Sequence, residues 1–177
     1  MMIDDDISAF VRRYEPSADK AKNPEVVNAM IDHVAALCDE LGACLFGFAS
    51  TGDHRYYDPF MPIELTGFVC GVSVGLKAGH NLLFNERIVA KNDYFVSGLN
   101  AHVNRICCKD TRFGFVGDDT FSGAGGMARF RSSSTEKRDV EILRACFGDV
   151  IKPVKRSGFG GSQEHVGYEK VVMKMPF

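Results

Sequence analysis

Residues 23–49 read NPEVVNAMIDHVAALCDELGACLFGFA and contain both kinds of element from which the fold is built. Asn23 is a typical N-cap and Gly42 ends the apolar pattern, so this stretch predicts a helix over about 24–41. Apolar residues recur inside it at helical spacing, which indicates one face packed on a core. The apolar run at 43–49 follows directly and predicts a buried strand.

Outward from this stretch, the chain continues to alternate between helices and strands. Ser133 and Glu136 are spaced as a capping box, and Gly148 is a typical helix stop. The absence of repeats and linker composition favours one α+β domain over 1–177, with helices packed on a mixed, largely antiparallel sheet. The further predicted elements are a helical extension at 1–22, helices at 93–108 and 133–147, and strands at 67–76, 112–116, 127–131 and 168–175.

Composition indicates a globular protein and excludes several classes. Of the 177 residues, 45% are hydrophobic and 25% charged, as in an average globular domain. The six cysteines form no Cys-x-x-Cys pair, which argues against a metal site and a disulfide framework. The acidic N-terminus is unlike a targeting signal, and the apolar stretch at 67–76 is about half the roughly 20 residues of a membrane helix. We therefore expect a cytoplasmic protein without a membrane partner.

Charge is distributed unevenly along the chain. Residues 1–104 carry 8 basic and 14 acidic side chains, whereas residues 105–177 carry 13 and 9. An anionic ligand is therefore expected to prefer the C-terminal part. The basic residues are interleaved with acids and form no stripe, so we expect no nucleic-acid partner.

Two glycine-bearing turns are the main candidates for a binding site. The segment 121–127 (FSGAGGM) resembles the cofactor-binding signature of DNA cytosine methyltransferases, which would imply S-adenosylmethionine, but no Pro-Cys pair follows it. In the second turn, Lys152 and Arg156 with Gly158 and Gly160 have the residue types that hold a phosphate. The alternatives are a plain glycine turn and a solvated basic loop.

Asp118 and Asp119 follow a predicted strand and precede the first of these turns. A carboxyl there can act as a proton donor when burial raises its pKa, whereas adjacent aspartates at a turn are otherwise solvated caps. Both interpretations stay open on the residues alone.

The layout of the chain resembles the corrinoid-binding, nitroreductase-like N-terminal domain of epoxyqueuosine reductases and reductive dehalogenases, a fold shared with the cobalamin-processing protein of animals. Residues 37–49 (LCDELGACLFGFA) are similar to that family's first helix and strand, and residues 65–76 to its next strand. Residues 112–120 (RFGFVGDDT) resemble a strand that ends in Asp-Thr. Residues 147–152 (FGDVIK) resemble a Leu-Gly-x-Ile-Gly-Lys turn, with Ile151 in place of the second glycine.

The resemblance implies a domain that binds a flat, phosphate-tailed cofactor, cobalamin or flavin mononucleotide (FMN), and it is compatible with a homodimer. Asp119 would be the catalytic proton donor. Because the ferredoxin-like half of the family is missing, the chain would be a partner of a reductase. The candidate cofactor-binding residues are the glycines and cations of the two turns: Gly123, Gly125, Gly126, Arg129, Gly148, Lys152, Arg156, Gly158 and Gly160.

No strong catalytic constellation stands out in the sequence, so a non-enzymatic alternative is kept. In that case the chain would be a structural or interaction protein, such as a virion component or an inhibitor.

Overall fold

The computed structural model describes residues 1–4, 6–15, 19–20, 23–117, 130–153 and 171–174, which form an α+β fold. The helices of this part are α1 (Pro24–Glu40), α2 (Asn92–Val103) and α3 (Ser133–Phe147). The strands are β1 (Met2–Ile3), β2 (Ile7–Arg12), β3 (Asp19–Lys20), β4 (Leu45–Ala49), β5 (Ile63–Glu64), β6 (Ser73–Leu76), β7 (Cys108–Gly117), β8 (Ile151–Pro153) and β9 (Val171–Met173).

The main sheet has the strand order β1-β6-β4-β7-β2-β3, and β5 joins it by pairing with β7. Strands β4 and β7 are parallel, with Phe46 opposite Cys108 and Gly47 opposite Lys109. The other described pairs are antiparallel, including the separate pair of β8 and β9. Because β4 and β7 are parallel neighbours, their carboxyl ends meet at the same edge of the sheet.

Every residue of β4 is buried, so this strand has helices on both faces. Phe46 and Phe48 belong to the same core cluster as Val34 of α1, whereas Leu45 clusters with Val96 of α2. The outer side of α2 packs on α3 and on the pair of β8 and β9 through a third cluster. The layers are therefore α1, the main sheet, α2, and α3 with its small sheet.

The predicted helix at 24–41 is confirmed as α1, together with its caps. The side chain of Asn23 accepts a hydrogen bond from the Glu25 N–H, and Gly42 has the left-handed φ of 66° that ends the helix. The predicted strand at 43–49 is confirmed as β4 over 45–49. It begins later because the Ala43 N–H is still bonded to the Cys38 carbonyl of the helix end.

The helical extension predicted for residues 1–22 is wrong for the described residues of that range, which contain β1, β2 and β3. Strand β2 pairs with β7 with Phe10 opposite Phe115, and Phe10 stacks on Phe113 with ring centroids 5.6 Å apart. Sheet pairing and aromatic packing with a distant strand therefore decide this segment, which local helical signals do not reveal.

Of the strand predicted for 67–76, only the last four residues form a strand, β6. The residues before it are irregular, yet Val69 is fully buried against the core. The Ser97 hydroxyl donates to the Val69 carbonyl and accepts from its N–H, at 3.3 and 3.1 Å. One side chain of α2 thus replaces the ladder partners that a strand would supply.

The helix predicted for 93–108 ends five residues early, and the strand predicted for 112–116 begins at Cys108. Asn100 stops the helix: its carbonyl accepts from the N–H groups of Asn104 and Arg105, and its amide donates to Ile106. Arg105 then takes a left-handed φ of 64°, which turns the chain into β7.

The helix predicted for 133–147 is confirmed as α3, but its capping box is one residue earlier than expected. Ser132 and Thr135 form the reciprocal bonds, which leaves Glu136 free of that role. Gly148 ends the helix with a φ of 60°. The strand predicted for 168–175 is seen as β9. Of the strand predicted for 127–131, only residues 130 and 131 are described, and neither is in a strand.

Candidate functional site

A cleft of about 640 Å³ lies at the carboxyl ends of β4 and β7. Its described walls are the loop after β4, the end of β7, the irregular segment before β6, the start of α2 and residues next to β1. Carboxyl ends of adjacent parallel strands are a common position for ligand sites in α/β sheets. The volume is within the roughly 300–1,000 Å³ that is typical of small-molecule pockets.

Gly52 shapes the wall formed by the loop after β4. A Cβ atom at this position would be 2.6 Å from Cγ2 of Val116 and 3.0 Å from Cγ2 of Val11. Only a glycine therefore allows this loop to lie directly against the end of β7. The close approach brings Ser50 and Thr51 to the cleft.

Aromatic side chains form one side of the cleft. The rings of Phe68 and Tyr94 are 4.5 Å apart between centroids with a tilt of 32°, and both line the cleft. The Tyr94 hydroxyl donates to the Val171 carbonyl at 3.0 Å, which fixes the ring. Phe84 also lines the cleft and is 45% exposed. These rings offer a surface on which another flat ring can stack.

Asp93, in the first turn of α2, is a lining residue of the cleft whose pKa is shifted by burial. Its Oδ2 accepts from the Gly71 N–H at 3.1 Å and its Oδ1 from the Tyr94 N–H at 2.9 Å. Burial raises the pKa of Asp93, and the two backbone N–H groups and Lys91 oppose this with smaller effects. A carboxyl that remains protonated above its usual range is characteristic of functional clefts.

Buried charges on α3 hold the segment that leads into α2. Lys91 Nζ is 2.6 Å from Glu136 Oε2, and each side chain is only 3% exposed. Asp139 is fully buried, and its Oδ2 accepts from the N–H groups of Val89 and Ala90 at 3.1 and 2.7 Å. Arg131 lies further out, with Nε 4.0 Å from Glu136 Oε1. Two acids of α3 therefore position this wall of the cleft.

Cys70 also lines the cleft, beside Asp93. Burial raises the pKa of its thiol to about 11, with a smaller contribution in the same direction from the Asp93 charge. Because the thiolate is the nucleophile, Cys70 is poorly suited to nucleophilic chemistry near neutral pH.

The residues predicted for the site are mostly outside the described part of the chain. Gly148 and Lys152 are described: Gly148 ends α3, Lys152 is exposed on β8, and neither is among the described lining residues of the cleft. Gly117 and Arg131, which flank the segment with the first glycine turn, do line it. The predicted site residues that lie outside the described ranges are Asp119, Gly123, Gly125, Gly126, Arg129, Arg156, Gly158 and Gly160.

The site residues that sequence reasoning missed are Lys91, Asp93, Glu136 and Asp139. Glu136 and Asp139 are on the same face of α3 as the buried Leu143. Two acids at helical spacing within an apolar stripe are unusual, because buried carboxylates need partners. This pattern could have indicated buried, paired acids on α3. It was missed because Glu136 was assigned to the capping box. Asp93 carried no comparable signal, since its contact with Gly71 joins two distant segments.

Within the described ranges, no three His, Cys, Asp or Glu side chains are grouped so that they could hold a metal ion. The helices found there are also too short or too polar to span a bilayer.

Comparison with known proteins gives no match to a protein-family model, to a curated protein or to a solved structure.

Proposed function

We propose that this chain is a small-molecule-binding domain whose cleft holds a flat heteroaromatic ligand of the flavin type. The observation that carries the proposal is the cleft itself, which combines a ligand-sized volume with the tilted aromatic pair Phe68 and Tyr94. Its position at the carboxyl ends of β4 and β7 supports the same conclusion. A bound flavin would make the chain an electron-transfer partner of a reductase.

Of the two cofactors that the sequence suggested, flavin suits this cleft better than cobalamin. A corrin macrocycle with its axial groups is much larger than a three-ring flavin, and a volume of about 640 Å³ is of the order that a drug-sized ligand fills. The aromatic wall also offers a stacking surface for a planar ring system.

The charges of the cleft favour the ring of the cofactor over its phosphate. The charged side chains among the described lining residues are Asp4, Asp6, Lys91, Asp93 and Arg131. This set is not net positive, and Lys91 is already paired with Glu136. We therefore expect riboflavin, which lacks the phosphate, to bind at least as tightly as FMN.

The test is a titration of the whole chain with riboflavin and with FMN, followed by quenching of flavin fluorescence and by thermal unfolding. Ligand at 100 times its Kd should stabilise the fold by about 2.7 kcal/mol. Ser50 is exposed at the cleft, so Ser50→Trp should fill the mouth and abolish binding while the free protein unfolds as before.

Two neighbouring residues provide a matched pair of variants. Phe84 lines the cleft, whereas Leu83 is 71% exposed and is not among its lining residues. Phe84→Ala should weaken riboflavin binding, and Leu83→Ala should leave it unchanged. Absence of binding by the unmodified chain to riboflavin, FMN and cobalamin would refute the proposal.

A second candidate function is that of an interaction module, which the loop after β4 favours. Phe60 and Tyr56 are 93% and 72% exposed. The base of the loop is held firmly: Arg13 donates to the Thr111 carbonyl at 2.7 Å, and the Thr111 hydroxyl donates to Met61 O at 2.9 Å. Exposed aromatic side chains on a loop with an anchored base are candidates for a binding hot spot. Light scattering would test it, since a homodimer abolished by Phe60→Ser would support this candidate.

A further inference from the structure

Asp93 is a carboxyl of the cleft whose position is fixed by hydrogen bonds. It remains partly exposed, and it is itself one of the residues that line the cleft. Its two oxygens accept from the N–H groups of Gly71 and Tyr94, at 3.1 and 2.9 Å. A Cβ atom at Gly71 would be only 3.3 Å from Oδ2, so a larger residue at this position would press on the carboxyl. The carboxyl is thus held by two backbone N–H groups in a residue that lines the cleft.

Each Asp93 oxygen uses one of its acceptor positions for a backbone N–H and retains further hydrogen-bonding capacity. If the group is ionised, both oxygens offer only acceptors to the cleft. If it is protonated, both backbone bonds can persist while the O–H is available as a donor. Protonation therefore changes what the cleft presents to a ligand and does not require the anchor to break.

The groups around Asp93 decide which form is favoured. Lys91, at the start of α2, is the described cation that acts on it and stabilises the charged form. Cys70 lies on the opposite segment, with a thiol that stays protonated near neutral pH because burial raises its pKa to about 11. Asp4, next to β1, acts on the same thiol, while Asp6 and Arg131 also line the cleft. Burial outweighs the attraction of Lys91, so the pKa of Asp93 is raised.

We propose that Asp93 donates its carboxyl proton as a hydrogen bond to the bound ligand, which must present a carbonyl oxygen or a ring nitrogen at that point. This inference rests on the proposed function of the cleft as a small-molecule site. It narrows the ligand class to heteroaromatic rings with acceptor atoms on the edge, a class that includes the flavins.

The sign of the pH dependence follows from the same geometry. Below the pKa of Asp93 in the free protein, the donor is present and the ligand binds. Above it, a carboxylate faces the acceptor atom of the ligand, and the hydrogen bond is replaced by repulsion. Affinity should therefore fall as the pH rises through that pKa.

The experiment is a riboflavin titration of the whole chain across the pH range in which it stays folded. The wild type should lose about tenfold in affinity on the alkaline side, as expected for one hydrogen bond. Asp93→Ala should bind about tenfold more weakly at low pH and show no such pH step. Asp32→Asn, an exposed change on α1, should keep both the affinity and the pH step.

Asp93→Asn adds a separate readout. Its amide is a donor at every pH, so the pH step should vanish, although one oxygen now serves two backbone N–H groups and some affinity is lost. The carboxyl carbon of Asp93, assigned by its absence from the NMR spectrum of this variant, should titrate above the ordinary aspartate value of about 3.9.

Several outcomes would overturn the inference alone: riboflavin binding that is independent of pH, unchanged binding by Asp93→Ala, or titration of the Asp93 carboxyl at its ordinary value. Absence of riboflavin binding at every pH would instead refute the function of the cleft, and the inference with it. If Asp93→Ala fails to fold, the wild-type titration and the NMR midpoint still decide.

Discussion

The two faces of the main sheet differ in what they bury. On the α1 face, the rings of Phe10, Phe48, Phe113 and Phe115 pack in edge-on, tilted and stacked pairs with centroids 4.7–5.7 Å apart. On the α2 face, a smaller apolar cluster lies beside the cleft with its partly exposed Asp93, and beside the buried charges of Lys91, Glu136 and Asp139. The aromatic cluster of the α1 face is hydrocarbon, whereas the α2 face combines hydrocarbon with charge and open space.

This difference separates stability from binding within one sheet. Burial of an aromatic side chain stabilises the fold directly, whereas a buried charge is costly unless it is paired. The described charges of the α2 face have partners, and those partners connect α3 to the start of α2. We infer that the α1 face contributes most of the free energy of folding. The α2 face contributes less, because part of its buried surface is charged and shapes the cleft.

The largest expected effect is on the α1 face. Phe48 is buried and contacts the rings of Phe10 and Phe115. Phe48→Ala should lower the free energy of unfolding by about 4 kcal/mol, from lost burial and the cavity left behind. Phe84→Ala at the cleft should change it by no more than about 0.5 kcal/mol. Urea unfolding of the two variants measures the difference, and similar losses would contradict the assignment of stability to the α1 face.

The sequence predicted elements with local signals better than those that depend on distant partners. The helix at 24–41 and the strand after it combine capping residues, helical spacing and an apolar run, all of which are local. The signals that failed were those that depend on distant partners. β2 needs β7 to become a strand, and in the segment before β6 the buried backbone of Val69 depends on the Ser97 hydroxyl.

The candidate site shows the same limit more strongly. The sequence predicted a binding site at glycine turns, because such turns form a local motif. The described cleft is instead built from contacts between segments far apart in the chain. Asp93 meets Gly71 across 22 residues, and Asp139 meets Ala90 across 49. The spacing of residues along the chain does not predict such long-range contacts. The acids of α3 gave a partial signal, because they interrupt an otherwise apolar stripe.

The next largest effect should come from the buried charge pair. Glu136→Leu leaves the Lys91 ammonium without the carboxylate that lies 2.6 Å away, and should cost about 3 kcal/mol. The double change Lys91→Met with Glu136→Leu should recover most of that loss, because neither charge is then buried alone. Thermal and urea unfolding of the single and double variants give the coupling energy. Additive losses would show that the pair does not act as a unit.

The smallest expected effect is a difference in labelling rate between two cysteine thiols with similar pKa values but different solvent access. Burial raises the pKa of both Cys38, on the buried face of α1, and Cys70, at the cleft, to about 11. At pH 8, scarcity of the thiolate alone should slow the reaction of each with a thiol reagent roughly a hundredfold relative to an ordinary exposed cysteine. Cys146 is exposed on α3 and serves as the fast reference in the same protein.

Access then separates the two slow thiols. Cys70 is partly exposed and lines the cleft, so its labelling should proceed in the native state and accelerate as the pH rises towards 11. Cys38 is buried, and its thiol donates to the Ala43 carbonyl at 3.1 Å, so it should be labelled only at the rate at which the chain unfolds. Mass spectrometry of labelled peptides measures all three rates at once. Equal rates for Cys38 and Cys70 would mean that the cleft admits no reagent, whereas protection of Cys70 alone by riboflavin would place the ligand beside it.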